Sequence, residues 1–416
     1  MVETKPISPF DERTVVRLAE DFRACLFDDY LPFISAYIYD EQHGGFLWNS
    51  SYRGETITTH KRTWYDARGV WVYANLYKCE KKPAYLEKAE KTLALLKKLL
   101  LEATDPRYPW SYDRQGRDLK ERSGDLYGNL FVAEAYIAYG DAVSEGHYLD
   151  QAKRLIMDAL QQYAHPDYRY QMDYAPSDRP AFVPRVLGHW MIFLRLATSF
   201  LRVREDVDIQ ALADRCITEL LEMHLHQESG LLLEVVTDQT DPQSALWSDF
   251  VYLGHAIESL WMLMDEAVRR QDTALFQRAA DTFQRHINVA WDPVYGGFFH
   301  SLESVRNHRV LTDKVLWAQH EALLGCLLLW EQTASPWAAE WVLRIWSYLT
   351  DTFRQNQLPY RPWRIGGNRR LDGEPAGERI ENYHHPRLLM AGIGYLETIK
   401  QHIVNLKHSN DEKRNQ

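Results

Sequence analysis

Histidines at the starts of apolar segments are the residues in this sequence best suited to acid–base chemistry. Residues 381–387 read ENYHHPR, so His384 and His385 directly precede a proline and the apolar run that begins at Leu388. Proline is favoured in the first turn of a helix, which places both imidazoles at a predicted helix N-terminus. The helix dipole disfavours an imidazolium there, so we expect a neutral histidine that can accept a proton near pH 7. Only one of the two side chains needs to face a site.

A second candidate lies in the segment LGHAIESLWML. His255 and Glu258 are three residues apart and share one face of the predicted helix. Glu258 is therefore predicted to accept a hydrogen bond from His255 and to fix its tautomer. Gly254 allows a neighbouring element to come close at this point. Two such histidines favour a reaction in which one group removes a proton and the other returns it.

Two predicted helices combine charged and aromatic residues on one face. The stripes are formed by Lys61, Trp64, Arg68 and Trp71 in one segment and by Lys314, Trp317 and Glu321 in another. A solvated face would not have the tryptophans, and burial of an unpaired arginine in a plain core is costly. An arginine paired with a structural carboxylate would also explain the first stripe. We interpret both stripes as walls of a polar cavity at the starts of the helices.

The elements that position these residues repeat along the chain. A polar residue followed by a small aromatic or apolar patch recurs at intervals of 61 to 65 residues, at Asp40, Asp105, Asp167, Glu228, Asp292 and Asn356. Between these turns the apolar spacing is helical, and each unit has room for two helices. Six helix pairs that close on themselves predict an all-α fold, an (α/α)6 barrel with short β-turn elements. An open helical solenoid is the competing interpretation.

Composition limits the class of protein. The chain has 416 residues and a formal net charge of −10, which argues against nucleic acid or an anionic membrane as the main partner. No apolar run is long enough to span a membrane, and the N-terminus lacks the apolar region of a signal peptide. Its four cysteines have no disulfide or metal spacing, which indicates a reducing compartment. We therefore expect a cytoplasmic protein with one domain over residues 1–406 and a flexible tail over 407–416.

These residues also give the chain a family likeness. It resembles the N-acylglucosamine 2-epimerase family, which includes renin-binding protein, cellobiose 2-epimerases and isomerases of mannose and sulfoquinovose. The block K-x-x-W-x-x-x-R-x-x-W of that family is similar to KRTWYDARGVW, and G-H-x-(I/L)-E is similar to GHAIE. The pair W-D-x-x-x-G-G and K-x-W-W-x-x-x-E-A resembles WDPVYGG and KVLWAQHEA, and F-H-x-P-R resembles YHHPR. The resemblance implies the same (α/α)6 barrel.

The resemblance also implies roles for residues at the matching positions. His255 and His384 would be the acid–base pair, with Arg68 near the sugar carbonyl. Glu258 and Glu321 would orient the histidines or bind hydroxyls, and Trp64 and Trp317 would pack on the sugar. The remaining substrate-binding candidates are Lys314, Arg387, Asn129 and His189. Asn129 stands where the glucosamine epimerases have a glutamate, and His189 where some disaccharide epimerases and isomerases have a histidine.

Inversion at C2 of a reducing sugar explains a need for two histidines. One base removes the C2 proton from the open-chain aldehyde, and an acid on the other side returns a proton to the opposite face of the cis-enediolate. N-acetylglucosamine, N-acetylmannosamine or a related aldose is the expected substrate, and a homodimer is the assembly that the family implies. Return of the proton to C1 instead would make the enzyme an aldose–ketose isomerase. No redox cofactor or metal is required, and His43, His60, His300 and His320 lack the spacing of a zinc site.

Two other classes of protein stay open at this point. A glycoside hydrolase on the same barrel would use a pair of carboxylates, and Glu258 with Glu321 or Asp249 would supply it. A helical-repeat protein without enzyme activity would bind its partner in an exposed groove. The histidines at helix starts would be incidental in a hydrolase, and an exposed groove would not confine polar stripes to helix starts, so the isomerase is favoured over both.

Overall fold

Helices dominate the computed structural model, which describes residues 12–101, 107–121, 126–237, 244–355, 358–369 and 379–414. In chain order they are α1 (Glu12–Ala24), α2 (Leu31–Phe33), α3 (Thr63–Glu80), α4 (Pro83–Leu101), α5 (Leu126–Val143), α6 (Gly146–Ala164), α7 (Leu187–Val203), α8 (Val207–Thr218), α9 (Ser244–Trp247), α10 (Leu253–Arg270), α11 (Thr273–Ala290), α12 (Leu316–Thr333), α13 (Pro336–Tyr348) and α14 (His384–Arg414). Four segments of π-helix, Cys25–Tyr30, Ile34–Ile38, Glu219–Met223 and Leu349–Phe353, follow α1, α2, α8 and α13 in that order.

Short strands connect the helices. They are β1 (Lys61–Arg62), β2 (Ser111–Tyr112), β3 (Tyr170–Gln171), β4 (Phe182–Val183), β5 (Leu225–His226), β6 (Leu231–Leu232), β7 (Val251–Tyr252), β8 (Ser301–Ser304), β9 (Arg309–Leu311), β10 (Lys314–Val315) and β11 (Arg364–Ile365). All pairs are antiparallel: β1 with β2, β3 with β4, β5 with β6, β10 with β11, and β8 between β7 and β9. Strands β1, β7 and β10 end directly before the inner helices α3, α10 and α12.

The helices form two concentric rings. Helices α3, α5, α7, α10, α12 and α14 each contact the next, and α14 contacts α3, so the inner ring closes. Outer helices α4, α6, α8, α11, α13 and α1 pack on the inner helices α3, α5, α7, α10, α12 and α14 in that order. The predicted (α/α)6 barrel is confirmed, and the open solenoid is wrong because the first and last inner helices touch.

The sequences of the helices explain their places in the two rings. Every residue of α12 from Leu316 to Trp330 is buried, as expected for a helix packed between ring neighbours and an outer helix. The outer helix α11 instead buries one stripe, formed by Ala279, Ala280, Phe283, His286, Ile287 and Ala290. Apolar residues on all sides therefore distinguish an inner helix from an outer one.

The turns predicted from the repeat have the same construction at two positions. Asp40 accepts hydrogen bonds from the backbone N–H groups of residues 42 and 43, and its carboxylate binds Lys61 Nζ at 2.9 Å. Asp292 accepts from residues 294 and 295 and binds Lys314 Nζ at 3.0 Å. In both turns two glycines with positive φ follow, Gly44–Gly45 and Gly296–Gly297. The turns at Asp105 and Asn356 lie outside the described residues.

The two lysines bound to these aspartates do not belong to the helical stripes that the sequence predicts. Lys61 and Lys314 lie in β1 and β10, before the helices begin, and are fully buried on their aspartates. Trp71 lies deeper in the barrel, where it packs edge-on against Tyr383. Of the two stripes, Trp64, Arg68 and Trp317 line the cavity where the inner helices begin, and Trp71 lines another at the opposite end of the barrel.

The last helix extends beyond the predicted domain boundary. Helix α14 continues to Arg414, so the backbone of residues 407–414 is helical. Flexibility of this segment stays a prediction. None of the helices in the described ranges is both long and apolar enough to cross a membrane.

Replacement of Asp40 by asparagine tests the buried turn. The side chains of Asp40 and Lys61 are both 0 % exposed, and Arg114 binds the same carboxylate. The substitution leaves a buried ammonium without its counter-charge, so we expect the free energy of unfolding to fall by about 3–5 kcal/mol. Urea denaturation measures it. The control is Glu41→Gln, which removes a carboxylate that is 70 % exposed and bound to Lys88, and it should cost less than about 1 kcal/mol. Equal effects of the two variants would contradict the prediction.

Candidate active site

A cavity of about 250 Å³ lies at the end of the barrel where the inner helices begin. Each inner helix contributes a residue from its first turns: Trp64, Tyr127, Met191, His255, Trp317 and His384. The other lining residues are Arg62, Arg68, Trp110, Phe131, Tyr170, Asp173, Tyr174, Ile192, Tyr252, Glu258, Trp363, Arg379 and Tyr383. The cavity therefore combines aromatic faces with a few charged groups, as sites for small polar ligands do.

His384 lines this cavity at the first residue of α14. Its Nδ1 lies 2.7 Å from Glu321 Oε1, and the second oxygen of Glu321 accepts a hydrogen bond from Trp261 Nε1 at 2.8 Å. Arg387 Nη2, a donor, also lies 3.3 Å from this Nδ1, but the contact with the carboxylate is shorter, so we assign the ring proton to Nδ1 and Nε2 as the basic atom. Burial, together with the charge of Arg387, holds the pKa of His384 well below its usual range. The neutral form expected from the sequence is thus favoured, with burial as its main cause.

The neighbouring His385 turns away from the cavity. Its Nδ1 lies 3.1 Å from His320 Nε2, and its ring packs against Tyr30. The expectation that only one of the two adjacent histidines faces the site is confirmed.

His255 also lines the cavity, but its partner differs from the predicted one. Its Nδ1 lies 3.0 Å from Glu234 Oε1, and Tyr174 donates its hydroxyl to the same oxygen at 2.6 Å. The prediction that Glu258 orients His255 is wrong. Glu234 comes from the segment after β6, and a lone carboxylate within the apolar run LLLEVV was the signal for it, since buried glutamates are rare unless paired.

Glu258 lines the cavity and also belongs to a buried charge cluster. Both Glu258 and Glu321 bind the guanidinium of Arg387, which links α10, α12 and α14. For Glu321, burial raises the pKa, and Arg387 opposes that rise. Glu258, Glu321 and His384 lie close enough to share a metal ion. The guanidinium already occupies both carboxylates, so a divalent cation would meet a fixed positive charge, and the group fits a metal poorly.

The indole ring of Trp317 packs against both candidate histidines. The ring centroid of Trp317 lies 5.7 Å from that of His255 and 5.1 Å from that of His384. Two glycines make this packing possible. A Cβ at Gly254 would overlap the Trp317 ring, and one at Gly188 would lie 2.8 Å from His255 Cε1 and closer still to the Tyr127 hydroxyl.

Arg68 approaches the cavity across aromatic faces. Its guanidinium carbon lies 4.0 Å from the ring centroid of Phe131, 4.8 Å from that of Tyr383 and 5.0 Å from that of Trp64. Its Nε is buried and has no hydrogen-bond partner among the described residues. Burial lowers the pKa of Arg68. The guanidinium is thus available to a negative charge in the cavity.

Five predicted substrate-binding residues do not line the cavity. Lys314 is bound to Asp292, and Asn129 accepts a hydrogen bond from the backbone of Tyr108 at 2.9 Å. His189 stacks behind Tyr127 with 4.5 Å between ring centroids, and burial lowers its pKa to about 3. Glu321 and Arg387 lie behind His384. In this structure the five residues make positioning and structural contacts, and their contacts with a sugar stay a prediction.

A second cavity of about 270 Å³ lies at the opposite end of the barrel. A layer of side chains separates it from the first cavity. Arg195 binds Glu134, the hydroxyl of Tyr383 donates to Glu134 at 2.8 Å, and Arg387 donates to that hydroxyl at 3.3 Å. All four residues are at most 9 % exposed, so the layer forms a polar but buried partition across the barrel axis.

The sequence of the chain is similar to the sequences of known sugar epimerases. Residues 44–383 match the model of the family described as N-acylglucosamine 2-epimerase (GlcNAc 2-epimerase). The N-acylglucosamine 2-epimerase of Homo sapiens is 23 % identical over 351 residues, which cover 81 % of this chain and 79 % of that protein. A cellobiose 2-epimerase of Dictyoglomus turgidum is 24 % identical over 326 residues, 75 % of this chain and 81 % of that protein.

Solved structures share the fold. The cellobiose 2-epimerase of Spirochaeta thermophila superposes with a TM-score of 0.78 at 20 % identity, over 93 % of this chain and 98 % of that one. A D-mannose isomerase gives a TM-score of 0.74 at 17 % identity, over 95 % of this chain and all of that one. A family 76 α-mannanase of Bacteroides thetaiotaomicron gives 0.60 at 11 % identity, over 95 % of this chain and 97 % of that one.

Substitution of Gly188 by alanine tests the close packing of His255. The added methyl group meets the imidazole and the Tyr127 hydroxyl, so overpacking should lower the free energy of unfolding by about 1–3 kcal/mol. The matched control is Gly394→Ala within α14, where a Cβ meets nothing within 4 Å. That variant should gain up to about 1 kcal/mol from helix propensity. Urea denaturation compares the two, and a stabilising effect of Gly188→Ala would show that the packing is loose.

Proposed function

The chain belongs to the N-acylglucosamine 2-epimerase family, and from this premise we propose that it inverts C2 of a reducing sugar by proton transfer through His255 and His384. The observation that supports this most directly is their arrangement. The two imidazoles come from different helices, pack on one indole and line one cavity, each with its Nδ1 on a buried carboxylate. N-acetylglucosamine, N-acetylmannosamine or a related aldose is the proposed substrate.

The reaction begins on the open-chain aldehyde. One histidine takes the C2 proton on its Nε2, and the electrons of the C–H bond move towards the carbonyl oxygen to give a cis-enediolate. The guanidinium of Arg68 compensates the negative charge that develops on that oxygen. The other histidine, protonated, delivers a proton to the opposite face of C2. In the reverse direction the two exchange roles.

The carboxylates behind the histidines support both protonation states. A histidine that has taken a proton becomes a cation, and Glu234 or Glu321 compensates that charge at Nδ1. Before the transfer the same carboxylates hold the proton on Nδ1 and leave Nε2 free to act as the base. Burial of His384 keeps its neutral form available near pH 7.

An aldose–ketose isomerase is the second candidate. The enediolate that loses its proton at C2 can regain one at C1, and the same two histidines and arginine would serve. The fold likeness to a D-mannose isomerase is consistent with this outcome. The position at which the proton returns separates the two reactions.

A glycoside hydrolase is less consistent with the site. Among the carboxylates considered for that chemistry, Glu258 lines the cavity, but Arg387 binds it together with Glu321, which lies behind the wall. Asp249 accepts hydrogen bonds from Ser304 Oγ at 2.5 Å and from the backbone of Arg306. No two of these three carboxylates face each other across the described part of the cavity, as a hydrolase requires.

We further propose a cytoplasmic location and a homodimer. The four cysteines are free, which is consistent with a reducing compartment. The net charge of −10 makes binding to nucleic acid unfavourable. The homodimer is proposed by analogy with the family.

Proton NMR of sugars in deuterium oxide tests the reaction. We expect one sugar from a panel of N-acetylglucosamine, N-acetylmannosamine, mannose, glucose and cellobiose to gain deuterium at C2 and to form its 2-epimer. His255→Gln and His384→Gln should each slow product formation by about 10²- to 10⁴-fold, because each removes one of the two proton-transfer groups. The control is His147→Gln, at a side chain that is 54 % exposed, and it should keep the full rate. Formation of a ketose would identify the isomerase, and hydrolysis of a glycoside without C2 exchange would refute the proposal.

Glu234→Gln tests the positioning of His255. Glu234 does not line the cavity, so the variant should lower kcat, by on the order of 10²-fold or more, and leave KM nearly unchanged, because the amide can stabilise the wrong tautomer. Steady-state kinetics and the pH profile of kcat measure this. Tyr174→Phe removes only one hydrogen bond to the same carboxylate and should have a smaller effect. An unchanged kcat in Glu234→Gln would show that His255 needs no such partner.

A further inference from the structure

The proposed reaction needs a step before the C2 proton transfer. Reducing sugars are mainly closed rings in water, whereas that transfer begins on the open-chain aldehyde. To open the ring, a proton must leave the hydroxyl oxygen O1 at C1, and a proton must reach the ring oxygen O5. O1 and O5 are bonded to the same carbon, so one group that both accepts and returns a proton can serve this step. Neither His255 nor His384 is assigned to it.

Tyr252 lines the cavity, and its hydroxyl is bound to a histidine that is itself bound to a carboxylate. The hydroxyl lies 3.3 Å from His300 Nε2, and His300 Nδ1 lies 3.1 Å from both oxygens of Asp313. We assign the ring proton to Nδ1 because the carboxylate is an acceptor, so Nε2 accepts a hydrogen bond from the hydroxyl. The oxygen of Tyr252 then keeps a lone pair with which it can accept a proton from a sugar.

Two other tyrosines of the lining have different partners. Tyr174 donates its hydroxyl to Glu234 at 2.6 Å, and Tyr383 donates to Glu134 at 2.8 Å. Both hydroxyls are therefore held on carboxylates, which are ordinarily weak bases. Of the three tyrosines, Tyr252 is the one bound to an imidazole, the side chain best suited to take up a proton near pH 7.

The three side chains have the order of a serine–histidine–aspartate triad, with a phenol in place of the serine hydroxyl. In such a triad the histidine takes the proton of the hydroxyl, and the aspartate fixes its tautomer and stabilises the imidazolium. The side chains of His300 and Asp313 are 16 % and 17 % exposed. Partial contact with water makes the transient imidazolium less costly than it would be in the fully buried interior.

Tyr252 also lies beside the proposed C2 chemistry. Its ring packs edge-on against His255, with 4.7 Å between ring centroids, and stacks on Tyr174 at 4.3 Å. C1 and C2 are neighbouring atoms, so a side chain that packs on His255 is placed close to O1 of a bound sugar. Burial raises the pKa of Tyr252, and the charge of Arg379 opposes that rise. A free phenolate is therefore unfavourable, which favours a hydroxyl that passes its own proton on as it accepts another.

We infer that Tyr252 is a catalytic residue that opens the sugar ring, with His300 and Asp313 as positioning residues behind it. This inference rests on the proposed C2 proton transfer and adds the step that precedes it. The closed ring is then the form of the sugar that binds, and the aldehyde is formed inside the cavity.

Protons and electrons balance within this relay of Tyr252, His300 and Asp313. The Tyr252 oxygen accepts the proton of O1 while its own proton passes to His300 Nε2. The electron pair of the O1–H bond forms the carbonyl at C1, and the C1–O5 bond breaks with its electron pair on O5. His300 then returns a proton through Tyr252 to O5, so the three side chains end in the states in which they began.

Mutarotation measures ring opening directly, because the two anomers of a sugar interconvert through the open chain. N-acetylglucosamine, N-acetylmannosamine, mannose, glucose and cellobiose are dissolved from crystals of one anomer, and polarimetry follows each with and without the full-length protein. We expect the protein to accelerate the mutarotation of at least one sugar. Tyr252→Phe should reduce that acceleration by about 10²-fold or more, since it removes the proton-transfer group. Phenylalanine keeps the ring that packs on His255.

Variants behind Tyr252 test the rest of the relay. Asp313→Asn and His300→Gln should each lower the acceleration of mutarotation by about tenfold or more, because neither variant provides the tautomer and the counter-charge that the relay needs. The matched control is Tyr348→Phe, since the Tyr348 hydroxyl is buried, has no hydrogen-bond partner among the described residues and lies outside the cavity. It should keep the full acceleration. Thermal unfolding of each variant checks that it folds.

D-Glyceraldehyde separates ring opening from the C2 step, because its three carbons cannot close a pyranose ring. Its deuterium exchange at C2 therefore needs the two candidate histidines but not the relay. Tyr252→Phe, His300→Gln and Asp313→Asn should each slow C2 exchange of the hexoses far more than that of glyceraldehyde. A general loss of folding or of the packing of His255 would lower both alike.

The outcomes separate this inference from the proposed function. If the wild-type protein does not accelerate mutarotation, or if Tyr252→Phe accelerates it equally, the relay is refuted while C2 exchange can still be observed. Equal slowing of C2 exchange in hexoses and glyceraldehyde would assign Tyr252 to the C2 step and would also refute its role in ring opening. If the folded protein accelerates mutarotation but exchanges C2 of no sugar, the proposed function fails and the relay stands.

Discussion

The bridge that Arg387 makes between Glu258 and Glu321 is the interaction on which the site depends. The two carboxylates are 2 % and 0 % exposed, and without the guanidinium two like charges would share one buried space. The cost of such an arrangement is large, and ordinarily one group would take up a proton. Arg387 opposes the rise in the pKa of Glu321, which burial still takes to about 7, and so favours the carboxylate form that accepts from His384. The same bridge connects three of the six inner helices, α10, α12 and α14, so the carboxylate behind His384 is fixed to all three.

Much of this arrangement could be predicted from the sequence, because an inner helix shows its character locally. Apolar residues on all sides, the six-fold spacing and histidines at helix starts predicted the barrel and placed His255 and His384 at one cavity. Trp64, Arg68 and Trp317 followed from the mixed stripes. These features depend on residues within a few turns of one another along the chain, where periodicity is informative.

The errors arose where partners come from distant segments or where a helix begins later than its pattern suggests. Helical periodicity continues through Lys61 and Lys314 and therefore predicts both at the cavity, whereas both lie in strands. Spacing of one helical turn predicts Glu258 as the hydrogen-bond partner of His255, whereas Glu234 binds the ring from another segment of the chain. No spacing rule reports such a contact. Close packing at Gly188 and Gly254 likewise depends on helices that meet only in the folded ring.

The buried partition of Glu134, Arg195, Tyr383 and Arg387 determines how substrate enters the enzyme and how product leaves it. It separates the two ends of the barrel in the described part of the chain, so the cavity with the two histidines is open at one end only. Newly made product must leave by the opening through which the next substrate molecule arrives. The substrate and product of a 2-epimerase differ at one stereocentre only. Both molecules therefore fit the same cavity and use the same opening. Accumulated product therefore occupies the cavity in place of substrate, and net turnover falls although the rate of proton transfer is unchanged.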